Sequence, residues 1–240
     1  GSEMCIRDRF MAALDGVCSP IHSVAEETEV GIGIGEEPVV TVIEEPAGAV
    51  RERSSVRNNA PVNMINGHEY VDLGLSVKWA TYNVGAEKPS DCGDYFAWGE
   101  ISPKSEYMEA NSITYRKDMG DISGDSRYDA ARANWGGSWR LPTKAEIDEL
   151  LSKCKWEWTT RDGHTGYLVM GPNGKFIFLP AAGWRYGSSQ YDVGEFGRYW
   201  SSTPGEGSTE YAYGLYFYAG DFDWTWGSRY RGHSVRPVSE

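Results

Sequence analysis

Asp221 and Asp223 are the acid pair best spaced for catalysis. They alternate with Phe222, Trp224 and Trp226, and residues at i and i+2 of a strand point the same way, so both carboxylates face one cleft. Paired carboxylates are the machinery of glycoside hydrolysis, so a carbohydrate-active enzyme is one candidate. The remaining catalytic inventory is thin. His22, His68, His164 and His233 are scattered, and no two have metal-ligand spacing on a helix. Setting aside Cys5, the cysteines Cys18, Cys92 and Cys154 have no CxxC spacing, which excludes a zinc site and a dense disulfide framework. A Cys92–Cys154 bridge stays open. Gly31–Gly35 is glycine-rich, but no helix follows it to receive a phosphate. Two acids on an exposed strand are more often solvated surface than a catalytic couple. No catalytic residue, metal or cofactor is therefore expected, and the enzyme stands as the alternative.

The stronger signal is aromatic. From Trp184 to Arg231 the chain interleaves Trp, Tyr and Phe with Gly, Ser, Asp and Arg, the mixture that antibody paratopes use for contact area at low rotamer cost. A core absorbs one alternating face of such strands, here Trp200, Leu215 and Phe217, and leaves the other to solvent. The expected binding face lies between Trp184 and His233. There Tyr218, Phe222 and Tyr230 stack on a protein or glycan ligand, while Arg198, Asp221, Asp223 and Arg231 orient its polar groups.

Short alternating segments must carry these residues. His68–Leu73, Val77–Thr81, Tyr95–Trp98, Tyr167–Met170, Phe176–Leu179, Tyr199–Ser201, Tyr211–Tyr218 and Ser234–Val238 read as strands, punctuated by Gly, Pro, Asn and Asp. Within Tyr211–Tyr218 the odd-numbered residues share one face and the even-numbered residues the other. Pro172-Asn173-Gly174 predicts a hairpin turn. Thr143 with Glu146 predicts a capping box, followed by an apolar stripe at Ile147, Leu150, Leu151 and Cys154. A second helix is expected from about Asp125 to Asn134, stopped by Gly136-Gly137. The class is α+β, with a twisted antiparallel sheet and two flanking helices.

The 240 residues hold 23 Lys+Arg against 35 Asp+Glu, a formal charge of −12. Such acidity argues against nucleic acid and against an anionic membrane surface, both of which need a basic face. A mean hydropathy of −0.52 with no long apolar run argues against a membrane span. Every Trp and Tyr lies at or after Tyr70, and residues 26–45 carry seven Glu and no Lys or Arg. Residues 1–66 therefore read as an acidic disordered tail or linker, and residues 67–240 as the folded domain. Residues 4–9, Met-Cys-Ile-Arg-Asp-Arg, look like a translated sequencing adapter, an assembly artefact over residues 1–9.

Gly67–Thr81, Asp94–Glu100, Trp135–Thr143, Tyr199–Thr203 and Ser234–Val238 together resemble the Fibrobacter succinogenes major paralogous domain over essentially 67–240. The resemblance implies a C-type-lectin-like fold on a secreted or cell-surface protein of Bacteroides-type bacteria, with a lipid anchor allowed in a longer parent. Several relatives resemble the variable proteins of diversity-generating retroelements, in which adenines of Asn-type codons near the gene's end are randomised. Such codons never yield Lys, Glu, Gln, Met or Trp, and Tyr211–Ser239 contains no Lys, Glu, Gln or Met.

By that resemblance the variable, ligand-binding positions are Tyr216, Tyr218, Asp221, Phe222, Asp223, Thr225, Gly227, Ser228, Tyr230 and Arg231. Asp192, Phe196 and Arg198 join them from an earlier loop. Trp200, Trp224, Arg229 and Ser234–Val238 are framework. The Glu-Pro-Asn and Trp-Asn-Asp motifs of calcium-dependent lectins are absent. Arg140–Glu146 echoes formylglycine-generating enzymes, but their C-terminal cysteines have no counterpart here. The expectation is a non-enzymatic, surface-displayed ligand-binding protein, with the enzyme or a purely structural surface module as alternatives.

Overall fold

Two side chains that satisfy orphan backbone donors fix where the helices begin. In the computed structural model, which describes residues 63–240, Asp129 caps α1 (Ala130–Trp135) by accepting from Arg132 N at 3.0 Å. Its other oxygen accepts from Gly124 N and Leu141 N, at 2.7 and 2.9 Å. Thr143 and Glu146 close the expected capping box on α2 (Lys144–Lys153). Arg140 forks onto the same Glu146 carboxylate at 2.9 and 2.7 Å, tying the segment before the helix to its first turn. The first helix starts later than expected. Asp125 folds residues 125–128 into a turn by accepting from Arg127 N, so the helix waits for its cap at Asp129.

The α+β class is mostly antiparallel sheet, divided among the described residues into four small sheets where one was expected. β1 (Met64–Ile65), β2 (His68–Val71) and β3 (Lys78–Ala80) pair in order, and β12 (Val238–Ser239) closes on β3. The first described strand lies just ahead of the boundary expected at residue 67. Met64–Ile65 belongs to the first sheet, and the Trp139 indole N–H donates to Ile65 O at 2.8 Å. The expected tail falls, over residues 1–62, outside the described residues. β4 (Lys155–Arg161), β5 (His164–Met170) and β6 (Phe176–Pro180) form a meander. β7 (Trp184–Tyr186) and β8 (Ser189–Tyr191) form a hairpin, and β9 (Phe196–Pro204), β10 (Tyr211–Tyr218) and β11 (Asp221–Ser228) form the last sheet.

Tyr95–Trp98 is no strand; Phe96 makes only an isolated bridge to His233. Of Ser234–Val238, Val238 alone enters a named strand. The 172–174 turn forms as expected: Gly174 takes φ +80°, and the Asn173 side-chain oxygen accepts from Lys175 N at 3.0 Å.

Among the described residues the core has two large clusters and a small one of Tyr95, Ala97 and Tyr107. The first packs Ile147 and Leu150 of α2 against Tyr167, Leu179, Leu215 and Phe217. The second gathers Trp98, Trp139 and Trp200 near α1. The indole N–H groups of Trp98 and Trp200 donate to Ser201 O and Phe96 O at 2.9 and 2.7 Å, so each buries a large apolar ring with its polar atom satisfied. Arg229 and Arg236 are buried too. Arg229 lies over the Trp98 ring at 4.4 Å and donates to four main-chain carbonyls. Arg236 donates to Asn83 and to the carbonyls of Ala80, Thr81 and Phe178.

Candidate ligand-binding face

The register of β9, β10 and β11 sets the expected residues side by side. Tyr218 lies opposite Asp221 on one flank and Phe196 on the other; Tyr216 lies between Asp223 and Arg198; Gly214 lies between Thr225 and Trp200. Cross-strand partners share a face, and so do residues two apart. Phe196, Arg198, Tyr216, Tyr218, Asp221, Asp223 and Thr225 therefore occupy one side of the sheet. Phe196 stacks on Tyr216 at 5.7 Å and meets Tyr218 at 5.5 Å, while the Arg198 guanidinium lies 5.1 Å from the Tyr216 ring. Tyr218 and Asp221 are exposed and the other five half-buried.

The β7–β8 hairpin widens this surface through Trp184. Its ring stacks on Tyr191 at 4.8 Å, and two guanidiniums approach it, Arg231 at 4.6 Å and Arg198 at 5.5 Å. The Trp184 N–H donates to Asp192 at 2.9 Å, and Asp192 holds φ +57° in the turn. Tyr230 packs between Tyr115 and Tyr186, at 5.1 and 6.0 Å. Asp192, Tyr230 and Arg231 thus flank the sheet face across the hairpin. Trp184 was not among the expected contact residues, although it opens the aromatic run. Spacing along one strand says nothing about two arginines arriving from β9 and from residue 231.

Three expected positions are corrected. Phe222 turns to the opposite side, where it stacks on Trp156 at 4.6 Å and meets Tyr167 at 5.6 Å, packed against the core. Ser228 is 5% exposed, buried at the end of β11 where its carbonyl accepts from Arg231 N. Gly227 has no room to vary: a Cβ there would lie 2.6 Å from both the Trp200 ring and His233. Among the framework positions, Trp200, Arg229 and Ser234–Val238 are buried, whereas Trp224 is 39% exposed.

Support for the face comes from behind and below. The Tyr167 hydroxyl donates to Tyr218 O at 3.1 Å and accepts from Gly220 N at 3.2 Å, holding the two-residue turn between β10 and β11. Gly220 sits at φ +98° there, a conformation that glycine adopts freely. His233 stacks on Trp200 at 3.9 Å. Burial, with the Arg198 and Arg231 charges nearby, holds its imidazole well below its ordinary pKa. Burial also pushes the Tyr216 hydroxyl up to about 12, so it keeps its proton further into alkaline pH than an ordinary phenol does.

Asp221 and Asp223 do share a side, as alternation requires, and each side chain accepts from the next residue's N–H, at 3.0 and 2.8 Å. Cys92 and Cys154 are free, half-buried thiols. Among the described residues no cluster of His, Cys, Asp and Glu is arranged to hold a metal, and no helix is long and apolar enough to cross a membrane. Comparison with known protein families, with curated proteins and with solved structures finds no match.

Proposed function

We propose that this chain is a non-enzymatic ligand-binding protein, secreted or displayed at the cell surface, whose contact face joins β9–β11 to the β7–β8 hairpin. The observation that carries this is the cross-strand alignment of Phe196, Arg198, Tyr216, Tyr218, Asp221 and Asp223 on one side of a sheet whose other side packs Leu215, Phe217 and Phe222 into the core. Rings supply apolar contact area there, and alternating Arg and Asp supply directional polar contacts, as anchors do at protein interfaces. The ligand is a protein or glycan. A C-type-lectin-like arrangement is the finer architecture we assign to this α+β domain. Retroelement diversification of the exposed positions fits a scaffold whose buried framework does not depend on them.

The test is capture from glycan and protein arrays by the wild type and by a Arg198→Ala/Tyr216→Ala/Tyr218→Ala variant. Loss of capture with a melting temperature within a few degrees of wild type supports the proposal. If every array ligand captured by the wild type, neutral polysaccharides aside, is captured equally by this variant, the proposal is refuted.

The same-side placement of Asp221 and Asp223 favours one further reading, a carbohydrate-active enzyme. Hydrolysis of plant or mucin polysaccharide, lost in Asp223→Asn, would establish that reading in place of simple binding.

A further inference from the structure

The opposite side of the same sheet carries a second aromatic surface that the proposed ligand face does not use. Trp224 and Trp226 lie two residues apart on β11, which pairs only with β10 among the described strands, and they are 39% and 49% exposed. Two strand residues so spaced stand about 6.8 Å apart on one side. Tyr213, from β10, meets both rings edge-on, at 5.3 and 5.9 Å. Lys144 lies 4.5 Å over the Trp224 ring while paired with Asp148 at 2.7 Å, so the first indole is held in place from the start of α2. An open groove of about 700 Å³ lies beside these rings, reached through Tyr213 and Lys144, which contact Trp224 and line the groove together with Asp118, Thr203, Glu206 and Ser208.

We infer that this groove and its tryptophan pair form a second binding site, specific for a neutral polysaccharide chain. A pyranose ring presents an apolar C–H face and a rim of hydroxyls. The indole faces meet the first need, and the carboxylates and hydroxyls along the groove meet the second. The volume falls within the range of about 300–1,000 Å³ typical of ligand pockets, and with the two exposed indoles beside it the surface is larger than a lone sugar needs. Charge selects among glycans. Asp118 and Glu206 line the groove of a chain with net charge −12, and its one lysine is already paired, so acidic polysaccharides are repelled.

Affinity electrophoresis tests this, using gels loaded with mixed-linkage β-glucan, xyloglucan, galactomannan or glycogen, and polygalacturonate as the acidic control. The wild type is expected to be retarded by at least one neutral polymer and not by polygalacturonate. Trp224→Ala/Trp226→Ala should weaken that retardation about tenfold or more, and Trp226→Phe should retain part of it. The Arg198→Ala/Tyr216→Ala/Tyr218→Ala variant should be retarded like wild type, which separates this site from the face on the other side. Melting curves confirm that the tryptophan variant is folded; should it fail to fold, Trp226→Ala alone, at the more exposed position, replaces it. Retardation by no neutral polymer, equal retardation by polygalacturonate, or loss confined to the Arg198/Tyr216/Tyr218 variant would overturn the inference.

Discussion

The guanidinium of Arg231 lies 4.6 Å from the centre of the Trp184 ring, linking a hairpin to a turn that follows β11, 47 residues later in the chain. Arg198 approaches the same ring at 5.5 Å from β9. Trp184 is thus the joint between the two halves of the proposed contact face. Replacing it with Ala removes two cation–π contacts and the Tyr191 stack. A loss of about 2 kcal/mol is expected from contacts of this kind at half-exposed sites. Urea denaturation measures it, and a loss below about 0.5 kcal/mol would mean that the ring is not the joint.

Phe222 and Tyr218 separate core from surface within one hairpin. Phe222→Ala should cost about 3 kcal/mol, because its ring packs on Trp156 and Tyr167 beside the core. Tyr218→Ala should cost less than about 1 kcal/mol, since its side chain is exposed. Equal losses in paired thermal melts would contradict this division of the strand.

Gly227→Ala tests the claim that this position is fixed. The added methyl meets the Trp200 ring and His233 at 2.6 Å, and both are themselves buried and stacked. About 1–3 kcal/mol of destabilisation is expected from such overpacking. Gene libraries of natural siblings give a second readout: Gly227 should stay constant while Tyr218 and Asp221 change.

His233 makes stability fall in mild acid. The folded protein holds this imidazole neutral, its pKa depressed by burial and by the adjacent arginine charges, whereas the unfolded chain binds a proton near pH 6.5. The unfolded state therefore carries more protons below that pH, and stability drops as pH falls, by about 1.4 kcal/mol per pH unit for one such group. His68, lowered by desolvation, acts in the same direction. Urea midpoints between pH 7 and pH 5 should fall steeply in the wild type and less so in His233→Gln. Identical slopes would mean that His233 is protonated in the folded state.

Much of the local structure is legible in the residues because its causes are local. Thr143 and Glu146 satisfy each other's backbone donors within four residues, and Pro172-Asn173-Gly174 turns the chain without outside help. The alternation in Tyr211–Tyr218 fixed which of its residues share a side, and the strand formed over those bounds. The four-sheet division was not legible, since β1 and β12 are two residues each and exist only by pairing with β2 and β3.

What the residues alone determined is that an aromatic, glycine-rich C-terminal third would build short strands with two unlike sides. Which side meets solvent was a tertiary decision. Alternation is symmetric between the two sides, and it is broken by what packs against them: α2 and β4–β6 cover Phe217 and Phe222 but stop short of Trp226, while Trp200 and His233 close over Gly227. Contacts between segments far apart in sequence therefore made Phe222 core, left Trp224 and Trp226 open, and brought Arg231 onto Trp184.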